Sequence, residues 1–239
     1  MKLLLANPNA TESVTKACAD LARAVASPGT EIVAWTNRGG PPVVDSFYGD
    51  YMAGRPLAVA LAAVTPVPDA VVLAGFGNYG ANAVKEILDV PVVALAEAAM
   101  AYALPLCHRF AIVTTSSRMI AYTEDLVHAL GFAARCATVR AVELPPIGAG
   151  EPPTDQVVAS LAAQAAATGA DLVILGGSRL SPYAAALRAC TSLVVVEPVA
   201  CAVTLAESLV RIGLRQSKAG KFAPPPRPLG EYGARGPTA

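Results

Sequence analysis

Short apolar runs bounded by turn residues alternate with longer stretches of helical periodicity along this chain. Lys2–Ala6, Glu31–Thr36, Ala70–Ala74, Val90–Ala94, Phe110–Thr114, Ala137–Glu143, Leu172–Leu175 and Leu193–Val196 have the length and composition of buried strands. Between them, Thr11–Val25, Leu57–Val64, Asn82–Leu88, Ala98–Leu104, Arg118–Leu130, Thr154–Ala167, Pro182–Ala189 and Val199–Ile212 read as helices. Gly131, Gly169 and Gly213 stand where C-terminal caps belong, and Thr154 where an N-cap belongs. Strands that alternate with helices imply parallel sheets and right-handed crossovers, hence an α/β class.

One pattern is written twice. Asp69-Ala-Val-Val-Leu-Ala-Gly75 and Asp171-Leu-Val-Ile-Leu-Gly-Gly177 are the same apolar run from aspartate to glycine. Each is followed by a polar loop, a short helical stretch and a valine-rich strand that meets a glutamate, Glu97 or Glu197. The repeat predicts two like α/β units that face each other and place their loop tips around one cleft. The expected first unit is 1–102 plus 204–226, with the last helix returning to it, and the second is 103–203. The Pro/Gly-rich residues 216–239 cannot continue a helix, and are expected to form a strap or to be partly disordered. Leu144–Pro153 reads as a surface loop.

With 54% hydrophobic and 15% charged residues, the chain can bury a large core. Zero formal charge and no basic block exclude nucleic acid and acidic membrane surfaces as expected partners. No signal peptide or transmembrane run is legible, so a cytoplasmic location is expected. Cys18, Cys107, Cys136, Cys190 and Cys201 are odd in number and unpaired in spacing, which argues against a disulfide framework. With His108 and His128 alone beside them, no metal site and no cofactor are expected.

Open parallel sheets bind ligands beyond the C-terminal ends of their strands. The candidate loops are therefore Asn7–Thr11, Gly39–Tyr51, Gly75–Gly80, Thr114–Arg118 and Gly176–Tyr183. Asn7 precedes a helix whose free N–H groups suit a carboxylate or imide oxygen, or simply a capping turn. Thr114 and Thr115 offer the same geometry in the second unit, as an oxyanion site or as caps. Gly75-Phe76-Gly77-Asn78-Tyr79-Gly80 matches a dinucleotide fingerprint only literally, and reads better as a close-approach loop against a small ligand.

Several segments carry a resemblance. They are Asn7-Pro-Asn, Pro91-Val-Val, Glu97-Ala-Ala-Met, Arg109-Phe-Ala-Ile-Val-Thr-Thr115, Cys136-Ala-Thr-Val-Arg-Ala141, Glu197-Pro-Val and Gly213-Leu-Arg-Gln-Ser-Lys-Ala-Gly-Lys-Phe-Ala-Pro-Pro225. In this order the chain resembles the hydantoin racemase branch, allantoin racemases included, of the aspartate/glutamate racemase superfamily. The resemblance implies two Rossmann-like, doubly wound units with mainly parallel sheets, related by a pseudo-two-fold, with the active-site cleft between them and a cysteine on each of its walls. One thiolate would remove the proton next to a carbonyl, and the other thiol would reprotonate the opposite face. The matching positions here are Gly75 and Gly177, so the two-thiol route is not available. Arylmalonate decarboxylases resemble racemases with glycine at the first position, but they keep the second cysteine.

The five cysteines are then expected to be packing residues. Tyr79 and Ser178 become the catalytic candidates, on opposite walls. Asn7, Gly75, Phe76, Gly77, Asn78, Thr114, Thr115, Gly177, Arg179 and Tyr183 are the candidate substrate-binding residues. Tyr and Ser need a depressed pKa or a neighbouring base to act at neutral pH, and Arg179 is a candidate for that or for an anionic substrate. Glu97 and Glu197 read as helix caps, or as groups behind the cleft. The expected function is cofactor-independent chemistry next to a carbonyl of a small cyclic ureide, imide or carboxylate. Isomerisation ranks first by ancestry. Decarboxylation, ring opening and a non-catalytic binding role stay open, and a homo-oligomer is expected.

Overall fold

The computed structural model describes residues 1–145 and 154–232. Strands β1 (Lys2–Asn7), β2 (Glu31–Thr36), β3 (Ala70–Leu73) and β4 (Val92–Ala94) form a parallel sheet in the order β2-β1-β3-β4. Strands β5 (Phe110–Thr114), β6 (Cys136–Ala141), β7 (Leu172–Gly176) and β8 (Val194–Val196) form a second in the order β6-β5-β7-β8. The two orders are the same, as the written repeat requires. β3, β5 and β7 are buried along their full length, because helices cover both faces of each sheet.

The helices are α1 (Glu12–Val25), α2 (Phe47–Ala62), α3 (Ala81–Ile87), α4 (Leu95–Ala103), α5 (Met119–Ala129), α6 (Thr154–Ala166), α7 (Ala184–Cys190) and α8 (Pro198–Arg211). A 3-10 turn, Ser178–Tyr183, runs into α7, and another spans Leu229–Tyr232. None of these helices is long and apolar enough to cross a membrane.

Strand alternation sorts the core into layers. Leu3, Leu5 and Val72 from the first sheet, and Phe110, Ile112, Leu172 and Ile174 from the second, face one shared cluster. Between them lie α1, α4 and α8, whose buried faces are rich in alanine: Ala19, Ala22, Ala98, Ala99, Ala202 and Ala206. Leu4, Ala6, Val71 and Leu73 face the outer side of the first sheet, under α2 and α3. Val113, Val173 and Leu175 face the outer side of the second, under α6 and α7.

The repeated acids have local reasons. Asp69 accepts the Lys2 N–H at 2.6 Å, and Asp171 accepts the His108 and Arg109 N–H groups at 3.1 and 3.3 Å. Each aspartate thus ties the start of its own strand to the start of the neighbouring one. Glu197 caps α8 through the Val199 and Ala200 N–H groups at 2.8 and 2.7 Å and also accepts the Ser181 hydroxyl. Glu97, in the first turn of α4, pairs with the buried Lys85 ammonium of α3 and accepts the Ala94 N–H.

Several boundaries differ from expectation. Helix α2 begins at Phe47, not Leu57, because the Ser46 hydroxyl accepts the Gly49 N–H and starts it there; Pro56 is carried inside the helix. Helix α4 begins at Leu95 rather than Ala98. Strand β6 stops at Ala141, which releases Glu143 to the loop region. The loop predicted at Leu144–Pro153 lies mostly outside the described residues, and the tail is described as far as Tyr232. Gln216 returns both of its amide bonds to the Val92 backbone at 3.0 Å. Lys218 Nζ donates to the carbonyls of Lys85, Glu86 and Leu88 at the end of α3.

Breaking a buried ion pair leaves one charge without compensation. Glu97→Ala is therefore expected to lower unfolding free energy by about 3 kcal/mol, measured by urea denaturation. The Glu97→Ala, Lys85→Met double variant is expected to recover most of that loss.

Candidate functional site

The loops that follow β1, β2, β3, β5, β6 and β7 contribute to one cavity of about 330 Å³. Pro8 and Asn9 come after β1, Val43–Asp45 after β2, and Ala74–Phe76 with Tyr79 after β3. Thr114–Met119 come at the end of β5, Glu143–Pro145 after β6, and Gly176–Arg179 at the end of β7. This is the position at which an open parallel sheet receives ligands.

The two walls differ in chemistry. The first unit supplies mostly apolar surface from Pro8, Val14, Val43, Val44, Phe76 and Tyr79, with Asp45 at its edge. The second supplies hydroxyls from Thr114, Thr115, Ser116, Ser117 and Ser178, together with Arg118, Glu143 and Arg179. Glu143 Oε1 accepts the Ser117 N–H at 2.7 Å, so this carboxylate is fixed against the β5 loop. Thr114 is buried and donates its hydroxyl to the Gly176 carbonyl at 3.2 Å, tying the tips of β5 and β7 together. Arg179 Nη2 donates to the Pro145 carbonyl at 3.1 Å.

Of the candidates named from sequence, Gly75, Phe76, Tyr79, Thr114, Thr115, Gly177, Ser178 and Arg179 line the cavity. Asn7 is buried beneath it. Its Nδ2 donates to Asn9 Oδ1, the Thr11 carbonyl and Thr15 Oγ1 at 3.0, 3.2 and 2.9 Å, which shapes the loop that Pro8 and Asn9 present. Gly77 and Asn78 lie behind the lining. Tyr183 is not in this lining; it is buried beside Leu180 and Leu187 in the second unit and borders a neighbouring pocket that also includes Ser178 and Arg179.

Tyr79 is the most constrained residue of the site. Its φ of 38° is left-handed, a region that side-chain-bearing residues rarely enter. Its ring fills the space beside two glycines. A Cβ on Gly75 would stand 2.4 Å from Tyr79 Cδ2 and 2.6 Å from Pro8 Cγ, and one on Gly77 would stand 2.4 Å from Tyr79 Cε1. Gly177 on the facing wall is open, since a Cβ there would meet only the Thr115 methyl, at 3.2 Å. The Tyr79 hydroxyl is pushed far above its ordinary range by burial, and the nearby Asp50 and Asp45 charges add to that, against a hydrogen bond from the Gly77 backbone. It is a neutral hydrogen-bonding group and a wall, not a base.

Ser178 faces the cavity from one side and the Cys18 thiol of α1 from the other. Burial pushes that thiol up to about 11, although the Ser178 hydrogen bond works the other way. Cys107, Cys136 and Cys201 are half-buried against the central core, with Cys201 pushed up to about 12, chiefly by burial, and Cys190 is exposed at the end of α7. No cysteine or histidine is among the described residues that line the cavity. Among the described residues, no group of three His, Cys, Asp or Glu side chains is placed to hold a metal ion.

Sequence reasoning passed over Asp45 and Glu143. Asp45 lay inside a loop named as a candidate but was not singled out, and Glu143 was assigned to the end of a strand. Their signal was positional: each lies in the loop that follows its unit's edge strand, β2 or β6.

Two like α/β units with one cavity at the ends of their strands define a two-lobed α/β protein with a cleft of small-molecule size between its halves. The chain belongs to the Asp/Glu/hydantoin racemase family, whose model matches residues 3–206. It is 33% identical to a hydantoin racemase of Paenarthrobacter aurescens over 233 residues, which cover 94% of this chain and 98% of that one. Among solved structures, an allantoin racemase from Klebsiella pneumoniae superposes with a TM-score of 0.89 at 32% identity, over 95% of both chains. The allantoin racemase of Pseudomonas fluorescens superposes with a TM-score of 0.87 at 35% identity, over 95% of this chain and 98% of that one.

The packing at the two glycines gives an asymmetric prediction. Overfilling a tight site costs about 1–3 kcal/mol, and Gly75→Ala is expected to fall in that range. Gly177→Ala, with only a movable methyl as neighbour, is expected to cost less than about 1 kcal/mol. Denaturant melts of the two variants measure the difference, and Tyr79→Ala is expected to relieve most of the Gly75→Ala loss.

Proposed function

We propose that this protein is a cofactor-independent isomerase of the hydantoin racemase type. It acts at the carbon next to a carbonyl of a small cyclic ureide or imide, without a cysteine. Family membership supports the class of reaction. The observation that carries the cysteine-independent route is the cavity lining. Carboxylates enter it from both units, Asp45 from the first and Glu143 from the second, while Gly75 and Gly177 occupy the positions that the family resemblance gives to thiols.

Proton removal next to a carbonyl needs an acceptor, and delivery to the other face needs a donor opposite it. Tyr79 and Ser178 remain the candidates for hydrogen-bonding the reacting atoms from the two walls. Neither is an unaided base at neutral pH, and Tyr79 is held further from ionisation by burial. In our reading a carboxylate takes the proton as the C–H electron pair moves onto the carbonyl oxygen. The Thr115 and Ser116 hydroxyls and the arginines Arg118 and Arg179 hold the negative charge, and a carboxylic acid or hydroxyl returns a proton to carbon. Preorganised donors of this kind are commonly the largest contribution to stabilising an enolate. A homo-oligomer is part of the same proposal, because Phe47, Tyr48 and Tyr51 at the start of α2 are 61%, 76% and 84% exposed. Light scattering at micromolar concentration tests that part, and a monomer would count against it.

The test of the reaction is incubation of the protein with optically pure allantoin and with 5-substituted hydantoins in D₂O. The expected result is deuterium at the carbon next to the carbonyl by NMR, together with loss of optical rotation. A general acid or base contributes about 10²–10⁴-fold, so Asp45→Asn and Glu143→Gln are each expected to slow exchange by at least about tenfold. Alkylation of all accessible thiols is expected to leave the rate within about twofold. Release of CO₂ or ring opening would instead place the protein in another reaction class. Calorimetric binding without exchange would assign it a binding role.

A further inference from the structure

Tyr122 belongs to the second unit, on α5, yet both hydrogen bonds recorded for its hydroxyl go to the first. The hydroxyl accepts the Asn78 N–H at 3.1 Å and donates to Asp50 Oδ2 at 2.8 Å, in the first turn of α2. Asp50 also accepts the backbone N–H of Tyr79. The Tyr122 ring is stacked at 21° on that of Tyr79, with centroids 6.2 Å apart, and lies 5.2 Å from that of Phe47. The whole side chain is buried, at 6% exposure. One residue therefore ties α5, the start of α2 and the Gly75–Gly80 loop into a single unit across the cleft.

What it ties is the strained part of the site. The two consecutive N–H groups of Asn78 and Tyr79 are taken by Tyr122 and Asp50, just where the backbone turns left-handed to lay the Tyr79 ring against Gly75. A conformation that the residue itself disfavours persists only when its surroundings over-determine it. The Tyr122–Asp50 pair supplies that determination, and supplies it only while the two units are in contact.

We propose that Tyr122 is a positioning residue of the active site. It sets the Tyr79 wall from the opposite unit, so that the cleft is assembled only when the units are closed on each other. The kinetic arm of its test rests on the isomerase reading above, and the structural arm does not. Tyr122→Phe keeps the ring and removes only the hydroxyl. In the protein without substrate, amide exchange followed by mass spectrometry is expected to quicken at least about tenfold in the peptide that carries Asn78 and Tyr79. Peptides of β3 and of α5 beyond the substitution are expected to keep wild-type protection. Wild-type exchange at Asn78 and Tyr79 overturns the proposal, as does uniform loosening of the whole chain, which would make Tyr122 merely structural.

In the exchange reaction on a 5-substituted hydantoin, Tyr122→Phe is expected to lower kcat about tenfold with KM within about twofold. A change carried by KM alone, or no change, also overturns the assignment. If the wild-type protein does not exchange the hydantoin proton, the isomerase reading falls and amide exchange alone decides the positioning role. Should Tyr122→Phe not fold, Asp50→Asn carries the same comparison. It keeps the shape and one acceptor oxygen, so intermediate loosening of the loop is expected and wild-type protection overturns the proposal.

Discussion

The organisation of this molecule depends on one layer of alanine. Two sheets of four strands share a single set of helices, α1, α4 and α8, and both sheets press on it. Side chains no larger than a methyl at Ala98, Ala99, Ala202 and Ala206 let α4 and α8 lie close together while the strands on either side remain in contact with them. Close packing of this kind transmits position with little slack. The loop tips at the ends of the strands are therefore placed relative to each other by the helices beneath them. Glu207 of α8 strengthens the same arrangement by accepting hydrogen bonds from Ser27 and Thr30, between α1 and β2.

On this symmetric frame stands an unsymmetric site. The like strands β3 and β7 are each followed by a glycine, Gly75 or Gly177, but the spaces beside those glycines are used differently. The ring of Tyr79 occupies one, and the other lies open beside Thr115 and Ser178. The apolar wall and the polar wall follow from that difference. A flat ligand with one polar edge meets a surface on each side that suits a different part of it. The internal repeat thus explains where the cleft is, and the departures from the repeat explain what the cleft can hold.

Most of the frame could be read from residue order. All eight predicted strands exist, because short apolar runs rich in valine, leucine and isoleucine and bounded by turn residues leave few alternatives. The repeated Asp–Gly and the paired glutamates proved to be local hydrogen-bonding devices that each unit needs for itself. Helix α2 starts at Phe47, well before the predicted Leu57, although Pro56 lies inside it and removes a backbone donor. The serine cap at Ser46 and packing of Leu57 and Leu61 against the first sheet outweigh it. At the site, the loops were legible and several of the side chains were not. Asn7 looked like a ligand and is a scaffold for its own loop. Tyr183 points into the outer core. Asp45 and Glu143 carry no motif, and only the three-dimensional convergence of two loops brings them to the same cavity.

The contacts of the tail have one more consequence. β4 ends its sheet, and a strand in that position offers unpaired N–H and C=O groups to any passing chain. Gln216 answers both groups of Val92 with a side chain, and a side chain cannot be extended into a further strand. The segment that carries the lysine clamp on α3 is thus also a stopper against sheet growth from molecule to molecule, a protection against aggregation written into a stretch with no regular structure of its own.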